Sequence, residues 1–105
     1  MVQATTPTYV LTLPVSINLN NAIENSVVFS LTQNSAHIHK VISSDNLHGN
    51  VLHVFLEQSE TLPFYKGTGE MQVNWLEPDG DRIRRRSTKI KTVQIEENLY
   101  KRVIE

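Results

Sequence analysis

The chain has 105 residues, a length that suits one compact domain with its own core and not two. Hydrophobic residues make up 39% and charged residues 20%, which excludes global disorder. The absence of cysteine excludes disulfides and thiol catalysis, and the formal net charge of −1 excludes a uniformly basic or acidic protein.

Residues 1–7 are small and polar and are expected to form a loose N-terminal arm. The stretch MVQATTPTYV has no basic segment followed by a long apolar block, so no signal peptide is expected. Tyr9, Leu11 and Leu13 alternate with Val10 and Thr12, the period of a strand, and Pro14 closes it. Leu19 to Asn25 is polar and rich in asparagine, a loop or a single helical turn. Val27, Phe29 and Leu31 alternate with Val28 and Ser30 as a second strand. Asn34-Ser35 signals a turn, and His37 to Ile42 forms a third strand. Ser43 to Asn50 is a polar loop around Gly49.

Val51 to Leu56 is apolar apart from His53 and reads as a strand with both faces partly covered. Gln58 to Lys66 predicts a short helical turn near 59–65, capped by Ser59 or Thr61 and anchored by Leu62, Phe64 and Tyr65. Gly67-Thr68-Gly69 ends it. Met71, Val73 and Trp75 then alternate with Gln72 and Asn74. Pro78-Asp79-Gly80 follows as a tight turn, and a second strand runs from it to about Ile95, so the segment is a hairpin. The tail 96–105 holds Leu99, Tyr100, Val103 and Ile104, too apolar for a free end, and is expected to bury them against this or a neighbouring subunit. Short strands separated by turn signals make an all-β, antiparallel sandwich the expected fold, in one domain over 1–105. No apolar run is long enough to span a membrane.

Charge is unevenly placed. Residues 82–91 hold Arg82, Arg84, Arg85, Arg86, Lys89 and Lys91 and no acid; subtracting those six from the net −1 leaves −7 for the rest. On a strand Arg84 and Arg86 share one face and Arg85 takes the other, unless a bulge shifts the register. Such a strand serves as a charged edge that blocks aggregation, a docking patch for an acidic protein, or a phosphate-binding surface. Stacking aromatics are not interleaved with it. His37 and His39 lie on one strand face, with His48 and His53 near in sequence, but no carboxylate stands at a ligand offset and no metal is assigned. Trp75 reads as a core anchor. No nucleophile–base spacing or phosphate-cradling glycine loop is present, so neither an enzyme nor a cofactor is expected.

The segments TTPTYVLTLP, VVFSLTQ, LHVFLEQSETLPFYKG, QVNWLEPDGDR and EENLYKRVIE together resemble small structural proteins of tailed bacteriophages. The resemblance covers nearly the whole chain and is weakest over residues 33–50. It implies an immunoglobulin-like β-sandwich, similar to the virion-anchoring domains of baseplate and head-fibre proteins. The implied function is non-enzymatic docking to other virion proteins, with self-association, after synthesis in the bacterial host cytoplasm. The basic strand and the tail residues Leu99, Tyr100, Val103 and Ile104 are the expected docking elements. Two other readings stand beside it: nucleic-acid binding through the basic strand 82–91, and sugar binding through exposed Trp75, Tyr65 or Tyr100.

Overall fold

A computed structural model describes residues 1–104. It is an antiparallel all-β sandwich. The strands are β1 (Thr8–Thr12), β2 (Val28–Gln33), β3 (Ala36–Val41), β4 (Leu47–His48), β5 (Val51–Phe55), β6 (Gly67–Asp79), β7 (Arg82–Ser87) and β8 (Lys91–Ile95). One sheet has the order β1-β5-β4. The other runs β3-β2-β6-β7, with β8 also paired to β6. A one-turn helix, α1 (Gln58–Thr61), and two 3-10 turns at Leu19–Asn21 and Ser44–Asn46 complete the chain.

The core lies between the sheets. Leu52, Val54 and Leu56 from the smaller sheet meet Phe29, Leu31, Val73 and Trp75 from the larger one, all 2% exposed or less. Tyr9 reaches across and stacks on Phe29, with ring centroids 6.4 Å apart. Burial alternates along β2 and β5 as a period of two requires. On β5 that alternation leaves Phe55 51% exposed, so only one face of this strand is covered at its end. Gly69 is buried where β6 passes closest to its neighbours. A Cβ there would stand 3.0 Å from Ile95 Cδ1 and 3.2 Å from the Thr32 carbonyl oxygen, so a larger residue would have to push these neighbours aside by a few tenths of an ångström.

Residues 1–5 are not loose. Val2 bridges Glu96 in parallel, the Met1 ammonium donates to the Gln94 carbonyl, and the Gln3 N–H donates to the Glu96 carbonyl. Gln3 and Ala4 are buried, and the buried Thr61 hydroxyl donates to the Thr5 carbonyl. The segment is tied down because its polar backbone groups extend the edge of β8. The helical turn is also capped differently from the expectation. Glu57 is the N-cap of α1 and its N–H donates to the Glu60 carboxylate at 2.9 Å, whereas Ser59 and Thr61 lie inside the helix. Phe64 anchors it by full burial, while Tyr65 is 44% exposed.

The hairpin turn falls one residue later than Pro78-Asp79-Gly80. Asp79 pairs with Arg82, leaving Gly80-Asp81 as a two-residue loop. Gly80 has φ +60°, the glycine-first arrangement of a II′ turn. Pro78 remains inside β6, where the strand has only β7 beside it and the missing N–H costs no ladder bond on a second side. The return strand is not continuous to Ile95. Asn74 pairs with Ser87 and Met71 pairs with Lys91, so two residues of β6 face three, Thr88 to Ile90. This is a β-bulge. Thr88 fixes it, exchanging hydrogen bonds with Val73 through its N–H and hydroxyl and accepting one from Gln72.

Candidate functional site: the basic hairpin and the C-terminal segment

The β6–β7 hairpin projects beyond the body of its sheet. Pairing with β2 stops at Asn74, whereas pairing with β7 continues to Asp79. Arg82, Arg84 and Arg86 stand opposite Asp79, Glu77 and Trp75, all on the core-facing side. Two of these arginines are held internally. Arg84 donates to Glu77 Oε1 at 2.7 Å and Arg86 to the same oxygen at 3.4 Å, while the Trp75 indole donates to Glu77 Oε2 at 3.2 Å. The Arg86 guanidinium also lies 5.8 Å from the centre of the Trp75 ring. The Arg84 hydrogen bond, with smaller help from Trp75 and Arg86, holds the Glu77 carboxyl below the usual carboxylate range. Glu77 in turn raises Arg84.

Arg85 lies on the opposite face and donates twice to Asn74 Oδ1. Lys89 sits in the bulge and Lys91 begins β8. Among the described residues Arg82, Lys89 and Lys91 make no ion pair. The six cations therefore divide between two faces and a bulge, and do not form one patch.

The C-terminal segment stays extended but is pinned. The Gln58 amide brackets Ile104, donating to its carbonyl at 3.1 Å and accepting from its N–H at 2.8 Å. Lys101 pairs with Glu97. The backbone is held, yet the apolar side chains are not buried within the chain: Leu99 is 98% exposed, Ile104 70%, Tyr100 58% and Val103 38%.

The outer face of the larger sheet forms a groove of about 610 Å³ that sequence reasoning missed. Ser30, His39, Gln72, Asn74, Leu76 and Ile90 are among the residues that line it. Within it the Ser30 hydroxyl and His39 Nδ1 lie 2.8 Å apart. These two residues meet only because the β2–β3 register sets Ser30 opposite His39. No local motif encodes that pairing. No third group orients the imidazole, and neither Tyr65 nor Tyr100 lines the groove. Trp75 is 1% exposed, with its side chain on the core side, and offers no sugar platform.

The histidines divide as well. The His37 and His39 rings lie tilted to each other at 5.4 Å on β3, whereas His48 and His53 meet edge-on at 5.7 Å in the other sheet. Among the described residues no three His, Asp or Glu side chains converge to hold a metal ion. No described helix is long and apolar enough to cross a membrane. No protein-family model, curated protein or solved structure matches the chain.

Proposed function

We propose that this chain is a non-enzymatic structural protein of a tailed-phage virion, a capsid-associated or baseplate adaptor module that works by docking and self-association. The observation that carries the reading is the C-terminal segment. Leu99, Tyr100 and Ile104 are exposed on a segment whose end is tied to Gln58 at Ile104 and whose Tyr100 N–H is bonded to Asn98. A preformed apolar segment loses little conformational freedom when a neighbour covers it, so docking there is favoured. The sandwich supplies a rigid platform for it, and the resemblance to tailed-phage structural proteins supplies the setting.

Nucleic-acid binding is the weaker reading. Arg84, Arg85 and Arg86 already have partners within the chain, leaving Arg82, Lys89 and Lys91 for phosphates. Light scattering of the purified chain across a salt series tests the choice. A discrete oligomer that persists in high salt, and whose mass falls when residues 98–105 are removed, is the expected result. An unchanged mass after truncation rejects the docking role of the segment. Binding to duplex or single-stranded DNA that declines steeply with salt would favour the basic strand instead.

A further inference from the structure

A β-sandwich with two open sheets has four edges, and each edge strand is a template for pairing with another chain unless something blocks it. Three of the four are blocked here. β4 is only two residues long. β3 carries Lys40 on its inward phase, where the ammonium pairs with Glu60 at 2.9 Å and also donates to the Phe55 carbonyl. An inward-pointing charge on an edge strand is a device against sheet extension. The β7–β8 edge is interrupted by the bulge and loaded with arginine. β1 has none of these protections. Thr8-Tyr9-Val10-Leu11-Thr12 contains no charge, no proline and no bulge.

The backbone of β1 is half used. The Leu56 N–H donates to the Pro7 carbonyl and the Leu13 N–H donates to the Asn50 carbonyl, so the odd-numbered residues face β5. By the same alternation Thr8, Val10 and Thr12 turn their N–H and C=O groups outward. Among the described residues those groups have no hydrogen-bond partner, and all three side chains are exposed. Val10 is 56% exposed, and beside it on the same face Phe55 is 51% exposed.

We infer that β1 is a homodimer edge: it pairs antiparallel with β1 of a second copy across a two-fold axis at Val10. In that register Val10 faces the second copy's Val10 and Thr8 faces its Thr12. Every outward donor then meets an outward acceptor, because 8, 10 and 12 have the same phase on both strands. The strand is self-complementary as an isologous contact requires, and its lack of charge removes like-charge repulsion at the axis. The two three-stranded sheets become one of six. This contact is separate from the C-terminal segment and does not depend on it.

The chain contains no cysteine, so one introduced thiol reports the register without background. In a hydrogen-bonded antiparallel pair the facing Cα atoms are about 5.5 Å apart, within disulfide reach. Val10→Cys should form a disulfide-linked dimer of twice 12.0 kDa under mild oxidation, both in the full chain and in the chain lacking 98–105. Thr8→Cys, whose copies would lie about 13 Å apart along the strands, should remain unlinked. In the chain lacking 98–105, Val10→Lys should remain folded by circular dichroism and become monomeric at a concentration where the same truncated chain with Val10 is a dimer. A folded Val10→Cys that does not cross-link, equal cross-linking at both positions, or a Val10→Lys protein of unchanged mass would each overturn the inference. Loss of association on truncation with no Val10 cross-link would assign self-association to the C-terminal segment alone.

Discussion

Glu77 gathers Arg84, Arg86 and the Trp75 indole on one carboxylate at the point where the hairpin leaves the sheet. The side chain is 16% exposed, so its partners are only partly screened by water. Its pKa is lowered in the folded chain, chiefly by the Arg84 hydrogen bond. A depressed carboxylate contributes stability that is fully present above its unfolded pKa and is lost as pH falls through its folded pKa. Replacing Glu77 by Gln should therefore lower the melting temperature near neutral pH and flatten its decline on the acid side. Melting curves of both proteins from neutral to acidic pH check this, and parallel curves would mean that Glu77 contributes nothing to the acid limb.

At the scale of elements, residues 1–5 act as a short extension of the β8 edge and as a cover over α1. Backbone bonds to Gln94 and Glu96, the burial of Gln3 and Ala4, and the Thr61–Thr5 hydrogen bond give it the character of structure and not of an arm. Deleting residues 1–5 leaves the Thr61 hydroxyl and the Leu62 carbonyl, which accepts from Gln3, without these partners. Each such loss costs about 1–3 kcal/mol when the group stays buried. The deleted chain should unfold at distinctly lower denaturant, and an unchanged midpoint would show that the segment carries no stability. Its polar composition concealed this, because the groups that hold it are mostly backbone atoms, which no side-chain pattern reports. The apolar alternation of Val27, Phe29 and Leu31, and of Val73 and Trp75, did mark strands whose inward residues are buried. The positions of His39 and Ser30, nine residues apart, depended on hairpin register and left no local trace. The C-terminal segment was legible as apolar, but its backbone tether was not, since Gln58 lies 46 residues away from Ile104.

Over the whole molecule stability is graded along its length. The principal extents are 51 × 25 × 22 Å, and the projecting hairpin lies at the edge of the sheet's pairing network. β6 has a neighbour on each side from Glu70 to Asn74, but beyond Leu76 it has only β7. A two-stranded ribbon is marginal by itself. Amide hydrogen exchange should thus be slowest in β2 and the centre of β6, and fast from Glu77 through Arg84. Uniform protection along β6 would contradict that gradient. The two-sheet layout follows from the spacing of strands and turns, whereas the extra residue at Thr88 to Ile90 was invisible to a period-two reading, because Thr, Lys and Ile fit either phase.

That extra residue works as a phase slip in an otherwise regular grating. Beyond it the odd positions Val93 and Ile95 point toward the core, and before it the even positions Arg82, Arg84 and Arg86 take that side. The hairpin and the sandwich consequently keep separate reading frames. Substitutions that retune which surface the projection presents can accumulate without disturbing which side chains β8 buries, and a one-residue deletion at the slip would let two residues face two, straightening the strand while Arg82, Arg84 and Arg86 keep the side set by Asp79, Glu77 and Trp75.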